Sequence, residues 1–210
     1  MRRHLSPNCG PRRDGLKPTM IVIHYTAMET VAAAIERLCD PEAEVSAHYV
    51  IAKDGTLTQL VPEDQRAWHA GVGEWRGQGD INSRSIGIEL DNLGTHPFPE
   101  PQMGALEQLL HDIRRRWPIE PENIIGHSDM APGRKIDPGP RFDWARLARQ
   151  GLAGPTTTAG RDKSFRAAAQ AAGFTADVDM DTLLATTRLR FAPWRTGPQT
   201  VEDIELCHHI

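Results

Sequence analysis

The segment 126–140, GHSDMAPGRKIDPGP, constrains the fold of this chain more than any other stretch. It places a histidine, two aspartates, an arginine and a lysine among three prolines and three glycines. Proline removes a backbone donor and clashes with the preceding helical turn, so the segment cannot form a regular helix. We predict a rigid, mostly non-helical loop that follows a short buried strand at 122–126 and holds its polar groups in fixed directions.

The residues before this loop alternate between strand and helix patterns. Apolar β-branched runs predict buried strands at 20–24 and 85–90, and stripes of helical period predict helices at 29–39 and 102–117. Two further runs, 47–52 and 56–61, flank Lys53-Asp54-Gly55 and indicate a β-hairpin. With a short closing helix from Phe142, the pattern predicts an α/β fold with a mixed central sheet flanked by helices.

Three stretches show weaker patterns. Residues 1–18 are rich in proline, glycine and arginine, which predicts an extended surface arm, and 62–84 predict a long irregular loop. After Leu152 the composition changes, and 153–161 have the composition of a linker. We therefore predict a main domain at 1–152 and a small helical module at 162–210 that docks on it, with helices at 163–172, 181–190 and 200–207.

Composition excludes several functional classes. The net charge of −4 and the pI near 6.1 argue against a nucleic-acid partner. No apolar run is long enough to span a membrane, and the three cysteines are too far apart to signal a disulfide framework or a cysteine zinc site. The basic N-terminus lacks a following apolar segment, so we expect a cytoplasmic protein, with a periplasmic location or export without a leader as the alternative. We also expect a monomer.

Histidines at the ends of predicted strands suggest a metal site. His24 ends the first strand, His127 follows the strand before the loop, and Asp137 lies ten residues later. A catalytic zinc takes about three histidine or carboxylate ligands and keeps one position open. His48 and His69 are further candidate ligands. An iron site built on His127 and Asp129 is an alternative, but it would need His208 or His209 as its second histidine; bracing of the loop is the expected role of Asp129.

Seven strings of this sequence resemble the zinc N-acetylmuramoyl-L-alanine amidases of the Amidase_2 family. That family shares its fold with peptidoglycan-recognition proteins and phage lysozyme-type amidases. The resemblance spans about residues 5–150. The strings are IVIHYT (21–26), SAHYVI (46–51), DG (54–55), AWHAG (67–71), NSRSIGIEL (82–90), GHSD (126–129) and KIDPGP (135–140).

The resemblance implies a role for each matching residue. His24, His127 and Asp137 match the ligands of Zn²⁺, Glu89 matches the proton acceptor, and Lys135 matches the group that stabilises the transition state. The implied reaction is hydrolysis of the amide between N-acetylmuramic acid, or its 1,6-anhydro form, and L-alanine in peptidoglycan or its fragments. Four residues are candidates for lining the substrate cleft: Trp68, His69, Asn82 and Arg84.

Two departures from the phage enzymes place the chain in the bacterial branch of the family. Ala47 stands where they have tyrosine, and Asp137 stands where they have a cysteine ligand. The C-terminal module resembles the three-helix peptidoglycan-binding-like domain attached to some amidases. Two alternatives stay open: a recognition domain that binds peptidoglycan without cutting it, and a zinc peptidase of another class.

Overall fold

The computed structural model describes residues 1–154 and 164–208. Its strands are β1 (Arg2–Arg3), β2 (Cys9–Pro11), β3 (Met20–Tyr25), β4 (Tyr49–Ile51), β5 (Leu57–Gln59), β6 (Gln65–Ala67), β7 (Ser85–Leu90) and β8 (Ile124–Gly126). Its helices are α1 (Val31–Cys39), α2 (Ile81–Arg84), α3 (Glu100–Arg116), α4 (His127–Met130), α5 (Trp144–Arg149), α6 (Phe165–Ala172), α7 (Met180–Phe191) and α8 (Val201–Leu206).

The central sheet is mixed, as predicted. Its strand order is β1-β5-β4-β7-β3-β8, with β4 and β5 antiparallel and the other neighbours parallel. The antiparallel pair is the predicted hairpin, and Gly55 in its turn has φ of +84°, where a side chain would be strained. The prediction of an α/β fold with a mixed sheet flanked by helices is confirmed.

The register of the three central strands positions the polar residues of the site. His24 on β3 lies opposite Glu89 on β7, and Ile23 lies opposite Gly126, the last residue of β8. His127 therefore follows β8 at the level of His24. All three side chains lie at the carboxyl ends of parallel strands, which is where open α/β sheets bind their ligands.

Each face of the sheet is covered by its own apolar cluster. On one face Ile21, Ile23 and Ile124 pack with the buried stripe of α3. On the other face Met20 and Ile125 belong to a cluster that includes residues of α6 and α7, such as Phe165 and Leu183. The C-terminal helices thus form a third layer. The predicted boundaries at 152 and 162 stay predictions, and most of the predicted linker lies outside the described residues.

Three local predictions left out ordered elements that the structure contains. The arm 1–18 contributes β1 to the edge of the central sheet, and its β2 pairs with β6, which arises within the predicted irregular loop. That loop also contains the short helix α2. The segment after β8 opens with one helical turn, α4, because its first proline comes only at position 132. No helix within residues 1–154 and 164–208 is long and apolar enough to cross a membrane.

Candidate metal centre and active-site cleft

Three side chains meet at the carboxyl edge of the sheet. His24 Nδ1 lies 2.8 Å from Asp137 Oδ2 and 3.0 Å from His127 Nδ1, and His127 Nδ1 lies 3.0 Å from the same carboxylate oxygen. All three residues are buried. Within the described residues they form the one group of histidines, cysteines and carboxylates that could hold a metal ion.

The partner of the second ring nitrogen shows which tautomer His127 adopts. Its Nε2 lies 2.8 Å from the backbone oxygen of Ala70. A carbonyl oxygen can only accept, so Nε2 carries the hydrogen. In an imidazole that carries one hydrogen, Nδ1 then presents a lone pair towards Asp137.

A chain of hydrogen bonds determines the tautomer of His24. The Ser85 hydroxyl donates to the backbone oxygen of Ile81 at 2.6 Å, so it accepts from His69 Nε2 at 3.1 Å. His69 Nδ1 is then an acceptor, and it receives the hydrogen of His24 Nε2 at 3.0 Å. Burial, followed by the nearby His127, lowers the pKa of His24 to about 4, so the ring is neutral near pH 7.

Two lone pairs and a carboxylate oxygen thus face one another across about 3 Å. Three acceptors at this separation repel one another unless a cation lies between them. Outer hydrogen bonds that fix the tautomer and orientation of a histidine are a regular feature of metal sites. The donor set and its outer partners therefore fit a bound metal ion.

Glu89 lies beside this group on β7. Burial raises the pKa of Glu89 to about 8, Asp137 adds to the shift, and Lys135 opposes it. Its Oε2 is buried and has no hydrogen-bond partner among the described residues. A positive ion at the three ligands would favour the ionised carboxylate. Glu89 is thus a carboxylate whose protonation depends on the charge of the site, as acid–base catalysis requires.

A cleft of about 550 Å³ opens above these residues. Lys135 is exposed on its rim, close enough for its charge to lower the pKa values of His24 and Glu89. The residues that line it include His24, Tyr25, Trp68, His69, Glu89, His127, Lys135 and Asp137. The cleft therefore joins the candidate ligands, the carboxylate and the cation in one solvent-accessible space.

Of the four predicted cleft residues, the structure brings two to the cavity. Trp68 and His69 line it, whereas Asn82 and Arg84 do not. The Asn82 Oδ1 accepts from the backbone nitrogens of His69 and Ala70 at 3.0 and 2.9 Å, and Arg84 donates to the Gly79 oxygen. These bonds hold the loop that carries His69.

His48 and Asp129 lie away from the ligand group. The buried His48 accepts from the Gly87 nitrogen through Nδ1, behind His69. Asp129 Oδ2 accepts from the Gly126 nitrogen at 2.7 Å and from Arg190 at 2.9 Å. Its carboxylate braces the loop, as expected from the sequence, which leaves the alternative iron site without its carboxylate.

Sequence reasoning missed Ser85, Gly87 and Arg190. A Cβ on Gly87 would lie 2.5 Å from Cγ of His69, so glycine makes room for that ring. Ser85 and Gly87 both belong to the NSRSIGIEL string. Side chains alternate between the two faces of a strand, so the spacing of two residues placed Ser85, Gly87 and Glu89 on the same face of β7. Arg190 carried no such signal, because its contacts are about 60 residues away in the chain.

The sequence is similar to a known family and to named members of it. The family model described as N-acetylmuramoyl-L-alanine amidase, Amidase_2, matches residues 14–140. The N-acetylmuramoyl-L-alanine amidase AmiD of Escherichia coli is 42% identical over 149 residues, which are 63% of this chain and 53% of AmiD. The 1,6-anhydro-N-acetylmuramyl-L-alanine amidase AmpD of Enterobacter cloacae is 38% identical, over 69% of this chain and 87% of AmpD.

A solved structure extends the similarity to the C-terminal helices. The complex of Escherichia coli AmiD with the substrate anhydro-N-acetylmuramic acid-L-Ala-D-gamma-Glu-L-Lys superimposes with a TM-score of 0.78 at 30% identity. It covers 98% of this chain and 90% of that one. Because the family model covers more than half of the chain and the fold agrees over nearly all of it, the chain belongs to the Amidase_2 family of N-acetylmuramoyl-L-alanine amidases.

Proposed function

We propose that this protein hydrolyses the amide bond between N-acetylmuramic acid and L-alanine, with Zn²⁺ held by His24, His127 and Asp137. The observation that carries the proposal is the convergence of one carboxylate oxygen and two histidine lone pairs, with each histidine oriented by an outer partner. Two imidazoles and one carboxylate, with an open side towards a cleft, are a donor set typical of catalytic zinc.

The ligand separations support zinc. Atoms bound at about 2.0–2.1 Å in a tetrahedral zinc site lie roughly 3.3 Å apart. The three observed separations, 2.8–3.0 Å, are a few tenths of an ångström shorter, so the ligands need to move little. When bound, the zinc would polarise the scissile carbonyl and lower the pKa of a water molecule.

Glu89 is the proposed general base. Its carboxylate would take a proton from the attacking water and deliver it to the nitrogen of the leaving L-alanine. Lys135, on the rim of the cleft, would stabilise the negative charge that develops on the carbonyl oxygen, a contribution often worth a few kcal/mol. Trp68 and His69 would contact the substrate in the cleft.

The relatives point to an anhydromuropeptide as substrate. AmpD is named for the 1,6-anhydro sugar, and the AmiD complex contains an anhydro-N-acetylmuramyl peptide. We propose the same class of fragment for this chain, and intact peptidoglycan is the competing substrate. Cytoplasmic location and a monomeric state stay predictions from the sequence.

The test measures release of the stem peptide by liquid chromatography and mass spectrometry. We expect the zinc-loaded protein to release a peptide that begins with L-alanine from anhydromuropeptides faster than from sacculi. A chelator should abolish release, and added zinc should restore it.

The matched variant is Glu89→Gln, which keeps the shape of the side chain and the three ligands. It should bind zinc like the wild type and lose about 10²–10⁴-fold in kcat. Full activity of this variant would overturn the assigned base. Zinc binding without turnover of any muropeptide would instead favour a recognition domain, and cleavage only within the stem peptide would favour a peptidase.

A further inference from the structure

Arg190 reaches from α7 to the base of the metal-binding segment. Its Nη1 donates to Asp129 Oδ2 at 2.9 Å, and its Nη2 donates to the backbone oxygen of Ile124 at 3.2 Å. The guanidinium lies 3.3 Å from the centre of the Trp144 ring. Arg190 is 8% exposed and Asp129 is 1% exposed. One side chain of the C-terminal helices thus contacts a strand, a short helix and an aromatic ring of the amidase domain.

These contacts enclose the backbone that carries His127. Ile124 begins β8, and Asp129 is the third residue of α4, with His127 as its first residue. Asp129 also accepts from the nitrogen of Gly126, directly before His127. The nitrogen of Ser128, directly after His127, donates to the backbone oxygen of Asp137 at 3.0 Å. The position of His127, and its distance from Asp137, therefore depend on how residues 124–129 are held.

The buried charges of Arg190 and Asp129 are stable only when the two residues are paired. Both charged groups are almost completely buried, and the hydrogen bond from Arg190 Nη1 to Asp129 Oδ2 pairs them. A buried ion pair gives little net stability compared with apolar residues, but loss of one partner leaves a costly unpaired charge. Such a pair can instead select one arrangement of the groups around it. Around Arg190 and Asp129, the selected arrangement includes α4, the helical turn that begins with His127.

A second contact of α7 supports this role. A Cβ on Gly133 would lie 3.0 Å from Cγ2 of Thr182, so the far end of α7 also contacts the segment between His127 and Asp137. Between these two points Leu183 packs in the same apolar cluster as Met130 and Ala131. The helix therefore supports the segment along its length.

We propose that Arg190 is a positioning residue for the metal ligand His127, and that the C-terminal helices thereby complete the metal centre. The proposal rests on the metal site proposed above. It assigns to these helices a role in the site itself, in addition to any contact that they make with substrate.

The test compares Arg190→Met with Arg188→Met. Arg188 is on the same helix and is similarly buried, at 7% exposure, but its described hydrogen bonds go to Asp203 of α8 and to the backbone oxygens of Gly197 and Pro198. Zinc dissociation constants are measured by competition with a chromogenic chelator. Loss of a direct partner of a metal ligand typically costs about 10–100-fold in affinity. Arg190 acts one step further away, through Asp129 and Ile124, so we expect Arg190→Met to weaken zinc binding about tenfold and Arg188→Met to stay within about twofold of wild type.

Spectra of the Co²⁺-substituted proteins separate positioning from general stability. A displaced histidine ligand alters the visible bands, so we expect a changed spectrum for Arg190→Met and a wild-type spectrum for Arg188→Met. The conservative variant Arg190→Lys, which keeps the charge, should recover part of the lost zinc affinity. Wild-type affinity and a wild-type Co²⁺ spectrum in folded Arg190→Met would overturn the proposal.

If Arg190→Met does not fold, the double variant Arg190→Met with Asp129→Asn replaces it. This variant leaves no unpaired charge, and the asparagine oxygen can still accept from the Gly126 nitrogen. We expect it to bind zinc more weakly than wild type, and wild-type affinity would overturn the proposal. Neither the zinc affinity nor the Co²⁺ spectrum depends on turnover. An inactive wild type that binds zinc would therefore count against the proposed function but not against the positioning role of Arg190.

Discussion

At the scale of single residues, a relay of hydrogen bonds orients the metal ligands. The relay runs from the Ile81 oxygen through Ser85 and His69 to His24. Because the Ile81 carbonyl can only accept, the donor and the acceptor of every hydrogen bond along the relay are determined. Ser85 is fully buried and does not line the cleft. Its effect on the site is therefore transmitted through His69.

Ser85→Ala should weaken zinc binding by up to about tenfold, because His69 loses its acceptor and can turn or change tautomer. The measurement is the zinc dissociation constant. Ser83→Ala is the matched control, because Ser83 is equally buried but its hydroxyl accepts from the Arg13 nitrogen. Equal zinc affinities for Ser85→Ala and Ser83→Ala would contradict the relay.

Gly87→Ala should disturb the same relay by steric contact. The new methyl group would lie 2.5–2.7 Å from three atoms of the His69 ring, so the ring must leave its present position, in which it accepts from His24. We expect weaker zinc binding and lower kcat in a protein that still folds. The control is Gly104→Ala, where a methyl group meets no atom within 4 Å. A Gly87→Ala protein that matches this control in zinc affinity would show that the ring does not need its present position.

At the scale of elements, α7 and α8 are joined by a buried ion pair. Arg188 donates to both carboxylate oxygens of Asp203 at 2.8 Å, and Asp203 also caps α8 through the Thr200 nitrogen. The hydrogen bonds from Arg188 hold the pKa of Asp203 at about 2, below its ordinary value of 3.8. The native state therefore binds fewer protons than the unfolded state between these two pH values.

Stability from Asp203 should accordingly be complete above about pH 4 and disappear as the pH falls to about 2. We expect Asp203→Asn to lower the free energy of unfolding in urea near neutral pH. The difference from wild type should shrink as the pH approaches 2, where the native carboxyl is protonated too. A difference that does not change with pH would show that ionisation of Asp203 does not contribute.

At the scale of the whole molecule, the C-terminal helices and the sheet share an apolar cluster. Phe165 of α6 is 1% exposed and lies in this cluster with Met20 of β3 and Trp75. Trp75 also packs edge-to-face on Phe174. Two parts that share a core unfold together, so we expect one cooperative transition.

Phe165→Ala should lower the free energy of unfolding of the whole protein by about 3–5 kcal/mol, because it leaves a cavity in the shared core. Urea unfolding followed by circular dichroism measures this change. Trp194→Ala, at a position 77% exposed, should change it by less than about 0.5 kcal/mol. Two separate transitions, with only one shifted in Phe165→Ala, would contradict a shared core.

The sequence by itself determined the elements with strong local patterns. The β-branched runs of β3 and β7, the Asp54-Gly55 turn and the apolar stripe of α3 each depend on neighbours a few residues away, and the structure agrees with all of them. The strands β2 and β6 were missed because neither has an apolar alternation, and each forms only by pairing with the other. The turn α4 was missed because the prolines further along the segment masked it.

In the site too, the sequence indicated individual residues, whereas the tertiary structure decided how they are arranged. The sequence indicated His24, Glu89, His127, Lys135 and Asp137, since these residues lie in strings that resemble a known family. Their convergence depends on the register of β3, β7 and β8, which side chains distant in sequence determine together. The relay through Ser85, the room that Gly87 leaves for His69 and the reach of Arg190 to Asp129 were decided by the tertiary structure alone. A hydrogen bond or a steric contact between residues 16 to 61 positions apart leaves no periodic pattern in the chain.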